Sequence, residues 1–284
     1  MSILFKNKVN RSLGGNLLIF LALLLMGGFL IIPLIYAVSS AFKPLDEIFI
    51  FPPRIFVKNP TWNNFIQLGQ IANNFWVPLS RYIVNSIVVS AAATVGHILF
   101  ASMAAYPLSK HRFAGKQMLN TLVRLALLFT STVTYIPQYI VMAQLGLINS
   151  QLALILPALQ SSLGLYLMQS FMAGIPDEML EAARIDAASE YRICFQVVMP
   201  NVKPAWLTLM IFSFQGIWNN TGGTLLYQEN LKVLPSILGQ ISAGGISRAG
   251  VTSAATLVML IPPIILFLVS QNRVIETMST SGMK

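Results

Sequence analysis

Long apolar runs, rather than strict alternation, organise this chain. Six stretches approach or exceed the roughly 20 mostly apolar residues that a helix needs to cross a hydrocarbon layer. They are residues 17–38, 82–108, 122–142, 152–172, 204–220 and 254–270. The fifth, centred on Trp206 to Trp218, is interrupted by Ser213 and Gln215. Pro33, Pro137, Pro157, Pro262 and Pro263 fall inside runs, as bundles allow where neighbours satisfy the freed backbone groups. The pattern predicts an all-α chain, one polytopic membrane bundle of six transmembrane helices over residues 1–284. Loops 43–81 and 219–252 lie on one side and the long linker 173–203 on the other. The first run follows Lys6, Lys8 and Arg11, and Ala37-Val38-Ser39 resembles a cleavage site. It exceeds the 7–15 residues of a secretory apolar region, so it reads as a retained anchor.

Composition narrows the class. Of 284 residues, 55% are hydrophobic and 10% charged, against roughly 25% charged in soluble domains; the mean hydropathy is +0.70. That excludes a soluble enzyme, a disordered tail protein and a disulfide scaffold. Cys194 is the one cysteine and permits no internal disulfide, and His97 and His111 suggest no metal centre. A net charge of +9 could suggest nucleic acid, but membrane proteins collect Lys and Arg in cytoplasmic loops. With six spans and the N-terminus inside, twelve of the 18 basic residues lie inside and six outside. Both termini are thus expected in the cytoplasm. Arg124, near the inner end of the third run, can snorkel to headgroups. No acid falls within the six runs, which disfavours a secondary transporter or channel with an intramembrane proton relay. An intramembrane enzyme would need more than His97.

The linker 173–203 differs from a plain connection. It holds five of the nine acids: Asp177, Glu178, Glu181, Asp186 and Glu190. Pro176, Asp177 and Glu178 suit a helix start, and Leu180, Ala183 and Ala187 fall at helical spacing. Ser189 can cap a second helix carrying Ile193, Phe195 and Val197 and ended by Pro200. The apolar stripe needs a partner: the membrane surface, the bundle itself or another protein.

Glu181-Ala182-Ala183, then Asp186, Ala187 and Ala188, then Phe195, Met199-Pro200 and Pro204 resemble the EAA loop of binding-protein-dependent ABC importer permeases. The stretch Glu47-Ile48-Phe49 to Asn64-Phe65, Asn85-Ser86, Ala104 to Ser109 and the tail from Arg273 resemble the carbohydrate-type members, closest to the shorter, six-span permease of maltose-like importers. The family's usual glycine after the aspartate is Ala187 here. If that position needs positive φ, alanine costs about 1 kcal/mol or more.

The resemblance implies a type I ABC importer permease fold with a cytoplasmic coupling helix, in a bacterial inner membrane. It implies two cytosolic ATPase subunits, a second and different permease, an extracytoplasmic solute-binding protein, and a sugar or oligosaccharide substrate. No phosphate-cradling G-x-x-x-x-G-K-[S/T] run occurs, so hydrolysis falls to the separate subunits; no cofactor is expected. Glu181 would pair with a basic ATPase residue, while Ala182 and Ala183 allow close packing. Asp186, Ala187 and Pro200 complete that surface. The glycine-rich loop 219–252 would reach the binding protein, and the tail 277–284 the ATPase interface. For the substrate path, Ser86, Ser90, Thr94 and His97 form a polar stripe on the second run. That stripe either lines a wet cavity or bonds to neighbouring helices. Thr130 to Thr134 and Gln160 to Ser162 are similar candidates.

Overall fold

The computed structural model describes residues 13–73 and 77–281. The basic N-terminal residues Lys6, Lys8 and Arg11, the end of the tail beyond Ser281 and the side chains of residues 272–281 lie outside that description; the backbone continues helically to Ser281. The described residues are helical or irregular, without strand.

The apolar runs fold as helices because a backbone short of water must satisfy its own hydrogen bonds. Helix α1 (Leu13–Phe42) is followed by the short α2 (Leu45–Ile48) and by α3 (Asn63–Asn73). Then come α4 (Leu79–Lys110), α5 (Lys116–Ala126), α6 (Ser131–Gln144), α7 (Leu152–Leu159) and α8 (Ser162–Ala173). The linker forms α9 (Asp177–Ile185), then α10 (Glu190–Arg192), a π-turn (Ile193–Val198) and α11 (Met199–Asn201). Finally come α12 (Lys203–Trp218), α13 (Leu234–Ser242) and α14 (Ala249–Ser281).

Among the described residues four helices are long and apolar enough to span: Gly14–Phe42, Leu79–Lys110, Leu152–Ala173 and Ile246–Gln271. A fifth candidate is the pair Glu190–Asn201 and Lys203–Trp218, bent by 86°. The expected third span, 122–142, is divided between α5 and α6. α5 ends in a tight turn, where Leu128 and Phe129 donate to the Leu125 and Ala126 carbonyls, and α6 restarts after Thr130, whose carbonyl accepts from the Val133 and Thr134 amides. Likewise α7 and α8 part at Gln160, because Ser161 turns its hydroxyl to accept from the Gly164 amide at 3.4 Å. Pro200 does not end the linker's second helix; it sits in the last turn, which runs on to Asn201. There its missing amide removes only a terminal bond.

By contacts the chain divides into two sets: residues 1–70 with 241–258, and 71–240 with 259–284. In the first, Asn64 Nδ2 donates to the Ala41 and Lys43 carbonyls at 2.9 and 2.8 Å, closing the end of α1. Phe42, Trp62 and Phe65 pack ring against ring there. The buried Glu47 accepts from the Lys58 and Asn59 amides.

In the second set α4 is central, packing on α7, α8 and α12. One core cluster joins Ala105 and Tyr106 of α4, Met168 and Met172 of α8, Leu180 of α9, Ile193 to Val198, and Leu209 of α12. A second joins Val89, Met142, Leu154, Leu225, Leu226 and Val233. The helices approach closely at Gly164, where an added Cβ would lie 2.3 Å from His97 Nε2 and 2.7 Å from Leu209 Cδ1.

Candidate functional site

Helix α9 is held on one side and bare on the other. Leu180 is 1% exposed and packs into the core beside Met172, Ile193 and Val198; burying it is worth about 1.5–3 kcal/mol. Ala183 packs partly against the same cluster. Leu180 and Ala183 of the stripe predicted from spacing therefore find their partner in the bundle itself, whereas Ala187, past the helix end, is exposed.

Polar contacts fix both ends of α9. At its start Lys110 Nζ reaches Asp177 Oδ1 at 2.8 Å, the Ala173 carbonyl at 3.2 Å and the Ile175 carbonyl. Hydrogen bonding and charge from Lys110 hold the Asp177 carboxyl below its ordinary range. Past the helix end, Glu190 gathers three donors or partners. Arg184 Nε donates to its Oε1 at 2.9 Å, Tyr106 Oη donates to Oε2 at 2.6 Å, and His111 Nε2 lies 3.1 Å from Oε2. The bond from Arg184, then that from Tyr106, pull the Glu190 carboxyl down to about 2, so it is an anion throughout the physiological range. A cavity of about 270 Å³ opens beside this elbow, between Tyr106, Pro107, His111, Glu190 and Tyr191.

The elbow itself turns at Ala187, with φ +55°. The Ala187 amide donates to the Arg184 carbonyl and the Ala188 amide to the Ala183 carbonyl. That is the paired bonding of a left-handed helix stop. The break is thus made in the way a glycine would make it, with an alanine in a region disfavoured by about 1–2 kcal/mol.

The opposite face is open. Glu181, Ala182, Asp186 and Ala187 are exposed, as is Pro200 further on. Among the described residues Glu181 and Asp186 take no ion pair within the chain. Beside them Ile185 is 86% and Tyr191 70% exposed. Spacing arguments did not single out these two, although an isoleucine beside acids on a polar linker is itself a signal. Nor did they find the anchors Tyr106, Lys110, His111 and Glu190, whose partners lie about 65 to 85 residues apart.

The polar stripe of α4 is buried along its length: Ser86, Ser90, Thr94 and His97 are each 5% exposed or less. Ser86 Oγ accepts from the Leu234 amide at 2.7 Å. His97 Nδ1 and Ser213 Oγ share a hydrogen bond at 3.1 Å. Thr94 Oγ1 and His97 Nε2 have no hydrogen-bond partner. His97 also borders a cavity of about 220 Å³ with Ser161, Ser213 and Gly216. Two of the four residues thus spend a polar atom on neighbouring elements.

Loop 219–252 is built, not slack. Tyr82 Oη donates to Glu229 Oε1 at 2.8 Å, and Asn85 Nδ2 donates to the Asn230 and Lys232 carbonyls, both at 2.9 Å. Asn149 holds φ +63°; its Oδ1 accepts from the Tyr227 and Gln228 amides, and its own amide donates to the Leu225 carbonyl at 2.8 Å. Burial pushes the Glu229 carboxyl up, but bonds from Lys232, Tyr82 and Gln240 outweigh it and leave it below its ordinary value.

Comparison with known proteins places this arrangement. The family profile of the binding-protein-dependent transport system inner membrane component matches residues 97–279. The arabinooligosaccharides transport system permease protein AraQ of Halalkalibacterium halodurans is 27% identical over 262 residues, covering 89% of this chain and 91% of that protein. The sn-glycerol-3-phosphate transport system permease protein UgpE of Pectobacterium atrosepticum is 30% identical, covering 84% and 87%. In fold the chain is similar to one from the crystal structure of a bacterial ABC transporter involved in the import of the acidic polysaccharide alginate. The TM-score is 0.75 at 21% identity, over 93% of this chain and 99% of that one. This is the type I ABC importer permease fold. The family match spans the last part of α4, the α9 elbow and the later helices as far as residue 279, and on that ground the chain belongs to the inner membrane components of binding-protein-dependent transport systems, as a multi-pass permease subunit.

Proposed function

We propose that this chain forms half of the translocation path of an ATP-driven importer for a neutral sugar or oligosaccharide, and that the open face of α9 docks on an ATPase subunit. The partners are two cytosolic ATPase subunits, a second and different permease, and an extracytoplasmic solute-binding protein that meets loop 219–252. Both termini and the linker 173–203 face the cytoplasm, as the distribution of Lys and Arg favours. A secondary transporter or channel draws no support, since the relatives named above are permease proteins of transport systems.

One observation carries the docking: α9 is pinned on its inner side by Leu180, Lys110 and Glu190, while Glu181, Ala182, Ile185, Asp186 and Ala187 stand unpaired outside. A pinned knob transmits displacement; a loose one would absorb it. Glu181 supplies a charge for a basic residue, Ala182 and Ala183 permit close approach, and Ile185 fills an apolar socket. Pro200 lies at the edge of this surface. Import is then a population shift between inward- and outward-open states, driven by the different affinities of the two ATPase states.

Ser86, Ser90, Thr94 and His97 serve chiefly to pack α4, with His97 bordering a cavity. A neutral substrate is supported by the neutral polar groups of the bundle; among the described residues the buried charges are Lys43 and Glu47, both beyond α1.

The test is Glu181→Ala in the co-expressed, purified complex. Uptake into vesicles should fall while assembly and basal ATP hydrolysis persist. Undiminished uptake by a fully assembled variant removes the role assigned to Glu181.

A further inference from the structure

Helix α4 is hydrogen-bonded at both ends to the two loops that do the work of the preceding section. It runs 32 residues without a break, about 48 Å at 1.5 Å per residue. Near its first turn Tyr82 donates to Glu229, Asn85 donates to two carbonyls of the segment 230–232, and Ser86 accepts from the Leu234 amide. In its last turns Tyr106 donates to Glu190, and Lys110 donates to the carbonyls of Ala173 and Ile175 and to Asp177. Ser86 and Tyr106 are about 30 Å apart along the axis, the thickness of a bilayer's hydrocarbon core.

The two grips share a chemistry. Tyr82, Asn85 and Ser86 are almost wholly buried, as is Tyr106. A buried bond of this kind resists opening, because the groups left behind lose water as well as each other. Pro107, in the last turns, leaves one backbone bond unmade; between Ser86 and Met103 the helix does not bend or slip easily, since its own backbone bonds would have to break. Motion of one loop therefore carries the other.

We propose that α4 is a strut joining the coupling elbow at α9 to the segment 225–234, and that Tyr82, Asn85 and Ser86 are its positioning residues. Through these bonds they set where the segment stands relative to the ATPase-facing knob. Asn149 steadies the same segment from the α6–α7 connection. The proposal rests on the docking of α9. It adds that the state of the ATPases is passed to the receptor-facing loop through one helix, and that receptor binding is passed back the same way, as linkage requires.

Spin labels at Glu178→Cys and Tyr227→Cys, in the full assembled transporter with Cys194 replaced by alanine, test the strut. Both label sites are exposed. Their separation should be one narrow distribution, the same without nucleotide and with ATP trapped by vanadate. In Asn85→Asp, which cannot donate to the two carbonyls, the distribution should broaden. Stimulation of ATP hydrolysis by the loaded binding protein should drop about fivefold or more relative to the basal rate. Tyr82→Phe, which loses only a hydroxyl, should give a smaller loss and covers the case in which Asn85→Asp fails to assemble. A wild-type separation that changes with nucleotide overturns the strut, as does full stimulation in both variants. Uptake by Glu181→Ala reports on docking alone, so the two readings fail separately.

Discussion

Ala187 shows how much one side chain decides. Its φ of +55° is a conformation that a Cβ makes costly and that glycine adopts freely. The surrounding bonds hold it there regardless, because Arg184 and Ala183 carbonyls would otherwise lose their donors. Ala187→Gly should therefore stabilise the elbow by about 0.5–1 kcal/mol, the relief of strain being offset in part by the greater freedom of glycine in the unfolded chain. A higher unfolding midpoint of the purified protein in nanodiscs checks this; a lower one would mean that the methyl group makes a contact worth more than the strain. The departure from the family glycine was visible in the sequence. Its conformational consequence was not, since whether a residue needs positive φ depends on the turn that follows it.

At the scale of elements, α9 is a short helix that isolation would not sustain. Nine residues cannot repay the cost of nucleation, so its stability comes from Leu180 in the core and from the Lys110 and Glu190 anchors. The Glu190 anchor has a definite pH dependence. Its carboxyl falls from an ordinary 4.5 to about 2, through the bond from Arg184 first and from Tyr106 next. A depressed carboxylate contributes stability that is fully present above about pH 4.5 and is lost as pH falls toward 2. In hydrogen exchange the amides of α9 should keep their protection from neutrality down to about pH 4.5. Glu190→Gln should show the weaker protection already at neutral pH. Equal protection in the two proteins would show that the anchor contributes nothing. The breaks at 127–130 and at Gln160 belong to this scale too. Apolar runs of the right length announced spans, but local turns divided them: a tight turn after Leu125 at one break, and the bond from the Gly164 amide to the Ser161 hydroxyl at the other.

For the whole molecule, the charge of the substrate is the open chemical variable. Relatives carry names with neutral arabinooligosaccharides and with anionic sn-glycerol-3-phosphate. Among the described residues the buried Lys43 lies beyond α1, and the buried polar side chains along α4 are Ser, Thr, Asn and His, so α4 brings no buried cation to offset a phosphate's desolvation. Proteoliposomes of the assembled transporter should accumulate neutral oligosaccharide and leave sn-glycerol-3-phosphate outside; the reverse preference would place the missing cations on the second permease. The membrane class, the family and the acidic knob were all legible in the sequence, because they rest on local properties: the length of apolar runs, the sign of charges, and a motif between Glu181 and Pro204. Tertiary structure alone decided which face of α9 is free, that the Ser86 hydroxyl serves a loop amide 148 residues away, and that one helix grips both loops. Those depend on which distant groups meet. A buried hydrogen bond is worth making with any suitable partner, and only the packed chain determines which partner is within reach.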